Sequence, residues 1–326
     1  MITSQDIFNI ASKKEFEKIT LKVFRQQYDN NIVYHDFCDL LKKDKQNVKT
    51  IKDIPFLPIQ FFKTNTIVSN QDAVQATFTS SGTTGTVTSS HHVTDLNYYE
   101  QSFRQAFSRF YGNIEDYTIL ALLPSYLERE GSSLIYMVRD LIEGSSNPDS
   151  GFYLHNYDEL ITKLTQLDKS GENVLLIGVT YALLDLIEKQ PFQLNNTIIM
   201  ETGGMKGKRK EMIREELHNT LCSGFEVNEI HSEYGMTELL SQAYSLGNGI
   251  FECPPWMDIL VRDAEDALSY VDYDKTGGIN VIDLANINSC PFIATQDLGK
   301  KYSNQTFEVL GRFDNSDVRG CNLMVL

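Results

Sequence analysis

The sequence predicts an α/β fold: a mainly parallel sheet flanked by helices, with a smaller β-rich subdomain at the C-terminal end. Three patterns lead there. In the middle of the chain, short apolar runs at residues 118–123, 174–179 and 197–200 alternate with amphipathic stretches at 133–142 and 181–187. Strands covered on both faces read as continuous apolar runs, and the helices that cover them read with a 3.6-residue period. Beyond Glu238 the helical period fades, and residues 259–261, 268–271, 278–282 and 307–310 form short strand-like runs between turns. Before Ile54 the period is helical, with Phe16, Ile19, Val23 and Phe24 on one face and Tyr34, Phe37, Cys38 and Leu41 on another.

Between these regions the connections are also legible. Pro55 and Pro58 forbid a continuous helix, so residues 54–59 should run extended into the core. A Gly/Ser/Thr loop follows at residues 80–85, then an alternating stretch through Val93. A helix should start at Thr94 or Asp95, with Leu96, Tyr99, Phe103, Ala106, Phe107 and Phe110 as its apolar face. No internal repeat or low-complexity tract interrupts the chain.

Composition narrows the functional classes. The 326 residues are 41% hydrophobic and 22% charged, enough to bury a substantial core. With 29 Lys plus Arg against 44 Asp plus Glu, the net charge of −15 repels a nucleic-acid backbone, and no basic stripe offsets it. The longest apolar stretch, residues 174–187, is broken by Gly178, Thr180 and Asp185 and cannot span a bilayer. The N-terminus lacks the pattern of a secretory signal, which makes the cytoplasm the default location. Cys38, Cys222, Cys253, Cys290 and Cys321 are scattered without a C-x-x-C pair, arguing for free thiols rather than a zinc cluster; the first four read as small buried residues.

Several short runs carry chemistry. Ser80-Ser81-Gly82-Thr83-Thr84-Gly85 concentrates hydroxyls and two glycines, and such a loop can wrap phosphate oxygens with its N–H groups. It is not a Walker A loop: two residues separate the glycines and no lysine follows. A polar hairpin turn has the same composition. Glu201-Thr202-Gly203-Gly204 follows an apolar run, so a strand delivers a glycine turn at its carboxyl end, where open α/β sheets bind ligands. His231-Ser232-Glu233-Tyr234-Gly235-Met236-Thr237-Glu238 gathers an aromatic ring, a turn, a hydroxyl and a carboxylate, the groups that stack on a base, contact a phosphate and hold magnesium; a plain polar loop would also read this way. Thr295-Gln296-Asp297 and Gly311-Arg312 could each supply a charged group to a ribose or phosphate.

In order and spacing, Ser80-Ser81-Gly82-Thr83-Thr84-Gly85, Thr202-Gly203-Gly204, Tyr234-Gly235-Met236-Thr237-Glu238, Thr295-Gln296-Asp297 and Gly311-Arg312 resemble the motifs of the adenylate-forming superfamily. That superfamily holds acyl-CoA synthetases, peptide-synthetase adenylation domains and firefly-type luciferases. Asp53-Ile54-Pro55-Phe56-Leu57-Pro58-Ile59-Gln60-Phe61-Phe62-Lys63 and the ending from Gly311-Arg312 through Val318-Arg319-Gly320-Cys321-Asn322-Leu323 most resemble LuxE-type acyl-protein synthetases, with phenylacetate-CoA ligases as more distant relatives. The likeness spans roughly residues 53–323.

The resemblance implies ATP- and magnesium-dependent activation of a fatty or aryl carboxylic acid as an acyl-adenylate. The acyl group would then pass to a thiol on CoA, on an acyl-carrier or reductase-like protein, or on the enzyme itself. Carried over position by position, Ser80, Ser81, Gly82, Thr83, Thr84 and Gly85 grip the triphosphate, and Gly203 and Gly204 approach the adenine. Tyr234 packs on the base, Thr237 contacts the α-phosphate, Glu238 holds magnesium, Asp297 accepts from the ribose hydroxyls and Arg312 lies near the same sugar. Tyr126 and Leu127 fall where the superfamily lines its acyl pocket, though core packing accounts for them equally. LuxE-type proteins pass the acyl group to a cysteine of their own near the C-terminus, so the resemblance makes Cys321 a candidate acceptor.

Two departures qualify the likeness. Val87-Thr88 stands where many relatives have Pro-Lys, and only fourteen residues follow Arg312, where the superfamily continues into a small cap domain bearing a catalytic lysine. The expectation is one adenylate-forming large domain over residues 1–326 with that cap absent: a helical segment at 1–53, an α/β core at 54–238 binding nucleotide and acyl group, and a β-rich subdomain at 239–326. A scaffold that binds nucleotide or acyl ligand without turnover, acting through a partner, is the alternative reading.

Overall fold

The computed structural model describes residues 2–80, 88–127, 130–204, 208–210 and 212–313. Three helices open the chain, each started by a side-chain cap. Thr3 and Asp6 form a reciprocal capping box on Ser4–Phe8, the Ser12 hydroxyl accepts from Glu15 N on Lys13–Asn30, and Asn31 accepts from Tyr34 N on Ile32–Leu40. The expected face of the second helix is buried, Phe16, Ile19, Val23 and Phe24 together with Thr20 and Gln27. Gln27 and Asn31 donate amide hydrogens to the Ile287 and Ser289 carbonyls, so these helices grip a segment distant in sequence.

The Pro-containing connector enters the core as β1 (Leu57–Pro58). A hairpin of β2 (Ala76–Thr79) and β3 (Ser90–Val93) then encloses the hydroxyl-rich loop. Next come β4 (Thr118–Leu122), β5 (Gly151–Tyr153), β6 (Val174–Val179), β7 (Thr197–Thr202), β8 (His231–Tyr234), β9 (Ala243–Ser245), β10 (Ile250–Glu252), β11 (Met257–Arg262), β12 (Thr276–Asp283), β13 (Phe292–Lys301) and β14 (Phe307–Arg312). Apart from the hairpin, these strands make one sheet in the order β11-β12-β13-β14-β10-β9-β8-β7-β6-β4-β5, with β1 on the first part of β13. From β5 to β8 the pairing is parallel; from β8 to β11 it is antiparallel.

Burial follows that division. Every residue of β4 and β6 is buried, whereas β13 alternates buried with half-buried positions along most of its length. Helices Ser133–Ser145, Tyr157–Ser170, Thr180–Lys189 and Arg214–Phe225 intervene between the parallel strands, and Leu96–Tyr111 leads into the first of them, β4. Leu96–Tyr111 is capped by Asp95, and Tyr99, Phe103, Ala106 and Phe107 are buried on its predicted face. The β-rich end is hydrogen-bonded to the parallel half rather than forming a sheet of its own.

One expected strand does not form. Residues 268–271 contribute only an isolated bridge, Arg262 to Tyr270. Aspartates take the backbone donors there: Asp263 accepts from Glu265 N and Asp266 N, and Asp266 from Leu268 N and Ser269 Oγ. Such local bonds compete with ladder pairing and turn the chain. Among the described residues no helix is long and apolar enough to cross a membrane.

Asp168 shows how tightly the connections are tied. It is 3% exposed and accepts from the backbone N–H groups of Asn195 and Asn196 and the Thr197 hydroxyl, fixing the entry to β7. Asp168→Ala leaves three donors without an acceptor, so it should destabilise the fold by about 3 kcal/mol or more in urea unfolding. A loss under about 1 kcal/mol would mean that water replaces the carboxylate.

Candidate functional site

The parallel neighbours β7 and β8 bring two of the motifs out at the same edge of the sheet, with Met200 opposite His231 and Glu201 opposite Ser232. At the end of β7, Gly203 and Gly204 take φ values of +77° and +67°, a left-handed turn that side chains resist. Gly203 is needed for space as well: a Cβ there would stand 2.6 Å from the Tyr126 hydroxyl. The acyl-pocket candidate Tyr126 therefore packs on the glycine turn.

Past β8, the turn through Thr237 and Glu238 is held by its backbone. Buried Asp283 accepts from Leu240 N at 2.7 Å, Ser241 N at 3.0 Å and the Ser241 hydroxyl at 2.5 Å. Asn286 donates to the Glu238 carbonyl at 2.8 Å and the Cys290 carbonyl at 3.1 Å. His91, from β3, lies 2.8 Å from the Thr237 carbonyl through Nδ1 and 3.0 Å from Asn286 Oδ1 through Nε2. Burial raises the Asp283 carboxyl to about 6, against the hydrogen bonds it accepts, and lowers the His91 ring to about 4.

This clamp joins the turn to the hydroxyl-rich loop. The Glu238 carboxyl is 5% exposed; burial raises its pKa while nearby Ser89, Arg312 and Lys63 pull it down. Ser89 in turn donates its N–H to Ser80 Oγ, and Ser80 donates its N–H to the Ser89 carbonyl, closing the base of the hairpin. The hairpin is anchored by Thr79 N donating to the Gly131 carbonyl at 2.8 Å. Ser80 is thus bonded to the residue whose neighbourhood Glu238 shares.

The other charged motifs meet on β8, β13 and β14. The Tyr234 hydroxyl donates to Asp297 Oδ2 at 2.8 Å, and Arg312 Nε donates to Asp297 Oδ1 at 3.2 Å, across the register pair Asp297–Arg312. Asp297 is buried and Arg312 mostly exposed, so this ion pair joins the interior to the surface. The Tyr234 ring is held edge-on by Phe251 and Phe307, at centroid distances of 6.0 and 5.7 Å. Each carboxylate oxygen of Asp297 retains a lone pair for a further donor.

Of the sequence candidates, Ser80, Gly203, Gly204, Tyr126, Tyr234, Thr237, Glu238, Asp297 and Arg312 are thereby located. Ser81, Gly82, Thr83, Thr84, Gly85 and Cys321, and the side chain of Leu127, lie outside the described residues. Four residues of the site escaped sequence reasoning. Glu233 lies inside a recognised run without being singled out and His91 just past another, but Asp283 and Asn286 lie in a short 3₁₀ segment, Leu284–Asn286 and its cap, with no motif to mark it.

A magnesium ion is compatible with these groups. Among the described residues no three His, Cys, Asp or Glu side chains gather as a metal cage. Magnesium bound with phosphates usually takes only one or two protein carboxylates, which Glu238 can supply. The described cysteines are free; Cys38 and Cys290 are fully buried and Cys222 and Cys253 half-buried. Burial raises all four thiols, Cys38 to about 12.

Comparison with known proteins places this geometry. The family model for the acyl-protein synthetase LuxE matches residues 3–99. A long-chain-fatty-acid–luciferin-component ligase of Vibrio harveyi is 21% identical over 349 residues, covering 97% of this chain and 89% of that protein. A protein of the same description from Photorhabdus luminescens is 39% identical over 70 residues, 21% of this chain and 60% of that one. Among solved structures, an open conformation of 2-hydroxyisobutyryl-CoA ligase with 2-HIB-AMP and CoA aligns with a TM-score of 0.65 at 11% identity, covering 95% of this chain and 77% of that one. ATP-bound MatB from Rhodopseudomonas palustris aligns at 0.56 and 16% identity, covering 74% of this chain; the match spans about half, 49%, of MatB. At these identities the structural likeness establishes the fold, that of adenylate-forming enzymes.

Glu233 gives the site a pH signature. Its carboxyl accepts from Thr202 Oγ1 at 2.6 Å, between the glycine turn and Tyr234. Burial raises it from 4.5 to about 7, opposed by the Thr202 bond and reinforced by Glu201. A carboxyl raised on folding favours the fold below its unfolded pKa, and that contribution disappears as pH rises through about 7. Between about pH 5 and 8, Glu233→Gln should therefore gain on the order of 2 kcal/mol relative to wild type in urea unfolding. A pH-independent difference would show that Glu233 titrates as an ordinary carboxylate.

Proposed function

From its kinship with LuxE-type acyl-protein synthetases, we propose that this chain is an AMP-forming ligase that activates a long-chain fatty acid as an acyl-adenylate and passes the acyl group to a thiol. The observation that carries the reading is the convergence just described. Tyr234, Asp297 and Arg312, separate in sequence, are joined by a hydrogen bond and an ion pair beyond the carboxyl end of β8, and Arg312 and Ser89, the latter bonded to Ser80, both act on the Glu238 carboxyl. The fatty acid follows the printed description of the two relatives, and the apolar Tyr126 beside Gly203 suits it.

In this reading the acid's carboxylate attacks the α-phosphorus of ATP, forming the acyl–phosphate bond and releasing pyrophosphate. No protein nucleophile is required, so the chain's task is positioning and charge stabilisation. The loop from Ser80 to Gly85 cradles the phosphates, Gly203 and Gly204 let the backbone approach the adenine, and Tyr234 borders it. Thr237 donates to the α-phosphate, Asp297 accepts from the ribose and Arg312 steadies Asp297. Magnesium held by Glu238 would neutralise the charge that builds on the phosphates. Residues 1–326 then act as one adenylate-forming unit, with 54–238 carrying nucleotide and acyl group and 239–326 leading to the Gly311-Arg312 hinge motif.

For the second step the acceptor thiol is CoA, an acyl-carrier or reductase-like protein, or Cys321. The four described cysteines are poor candidates, because burial keeps their thiols protonated. Arg319, two residues from Cys321, would favour a thiolate there.

The protein should catalyse fatty-acid-dependent exchange of labelled pyrophosphate into ATP; absence of exchange across fatty, aryl and amino acids would leave a silent nucleotide-binding scaffold. Asp297→Ala should weaken ATP binding by roughly 1.5–3 kcal/mol in calorimetry of the folded variant, whereas Glu238→Gln should lower turnover far more than ATP affinity. With ATP and acid, a hydroxylamine-labile adduct should map to Cys321. Its persistence in Cys321→Ser, or its absence while acyl-AMP or acyl-CoA forms, would move the acceptor elsewhere.

A further inference from the structure

We infer that His91 is a positioning residue for adenyl transfer, its Nδ1–H bond to the Thr237 carbonyl fixing the Thr237–Glu238 turn against the hairpin that carries the phosphate loop. The inference rests on the acid-activating reading above and names a group outside the residues assigned there. His91 is fully buried, with Phe62 set perpendicular to its ring at 5.6 Å. Its two nitrogens reach two parts of the clamp, Thr237 O at 2.8 Å and Asn286 Oδ1 at 3.0 Å.

The amide of Asn286 is oriented by its own bonds. Its nitrogen donates to the Glu238 and Cys290 carbonyls, so its oxygen must face His91. Both ring nitrogens therefore meet acceptors, while a neutral imidazole has one N–H to give. Burial holds the ring neutral, lowering it to about 4, so a second proton is not available near neutral pH. The shorter of the two contacts, 2.8 Å to the Thr237 carbonyl against 3.0 Å to Asn286 Oδ1, takes the one hydrogen, on Nδ1.

That bond acts on backbone, not on ligand. It sets where the Thr237 hydroxyl and the Glu238 carboxyl stand relative to Ser80 and Ser89, which belong to the same hairpin as His91. Loss of the bond should let the turn shift while leaving Tyr234, Asp297 and Arg312 in place. Displacement of reacting groups by about 1 Å costs on the order of 10²-fold in rate. The deficit should therefore appear in kcat and not in the KM for ATP.

Steady-state pyrophosphate exchange of the full chain with His91→Asn, His91→Gln and His91→Leu tests this. The Asn amide nitrogen can take the place of Nδ1, whereas the longer Gln amide reaches toward the Nε2 position. His91→Asn should keep kcat within about threefold of wild type, while His91→Gln and His91→Leu should lose about 10²-fold in kcat with KM for ATP changed less than about threefold. Rescue by Gln rather than Asn, equal kcat loss in Asn and Gln, or a fully active Leu variant would each overturn the assignment. Should the Leu variant fail to fold, the Asn–Gln pair still decides. Wild type that never exchanges under any acid would remove the adenylation reading and this inference with it; exchanging wild type with indifferent His91 variants removes only His91.

Discussion

The site depends on how the backbone between Thr237 and Ser241 is held. A buried turn meets only some of its own N–H and carbonyl groups, and each group left unmet costs as much as a lost hydrogen bond. Here Asp283 takes two N–H groups and a hydroxyl, Asn286 serves one carbonyl and His91 another. The three side chains come from β12, the 3₁₀ segment after it and β3. Thr237 and Glu238 thus inherit their positions from parts of the fold that are remote in sequence, and the antiparallel and parallel halves of the sheet meet at this point.

Electrostatics at the site is governed by burial as much as by charge count. The chain is acidic overall, and Glu201, Glu233, Glu238, Asp283 and Asp297 all lie around the convergence of motifs. A fully ionised set would repel a polyphosphate. Desolvation raises Glu233, Glu238 and Asp283, favouring their neutral forms, and Arg312 and Lys63 counter the charge of Glu238. Glu201 goes the other way: burial would raise it, but His218, Arg214 and Ser232 together hold it below the usual carboxylate range.

The parallel half of the fold was legible because its code is local. The apolar runs of β4, β6 and β7 and the face of the Leu96–Tyr111 helix are written in consecutive residues, and the structure returns them within a few positions. The antiparallel half was less so. β13 escaped because its half-buried positions alternate with buried ones and include the polar Thr295-Gln296-Asp297 run, while residues 268–271 looked like a strand until Asp266 is seen to turn the chain through the N–H groups of Leu268 and Ser269. The same distinction divides the site. Tyr234, Asp297 and Arg312 are marked by motif spacing, but the value of Asp283, Asn286 and His91 lies in which carbonyl or N–H each one meets, and pairing across long separations leaves no trace in local pattern.

The matched family region, residues 3–99, carries a physical role that its motif content alone does not suggest. It holds the capped N-terminal helices, the proline connector and the β2–β3 hairpin, and it embraces the segment that forms the clamp. Gln27 and Ser69 both donate to the Ile287 carbonyl, Asn31 donates to that of Ser289, and the Ser289 hydroxyl donates to Ile67. Tyr34 reaches the Pro55 carbonyl just before β1 joins β13. Residues 287–290 could not hold Asn286 against Glu238 and Cys290 if their own carbonyls were left to find other partners. The N-terminal hundred residues therefore support the Thr237–Ser241 turn from behind, through the segment that carries Asn286.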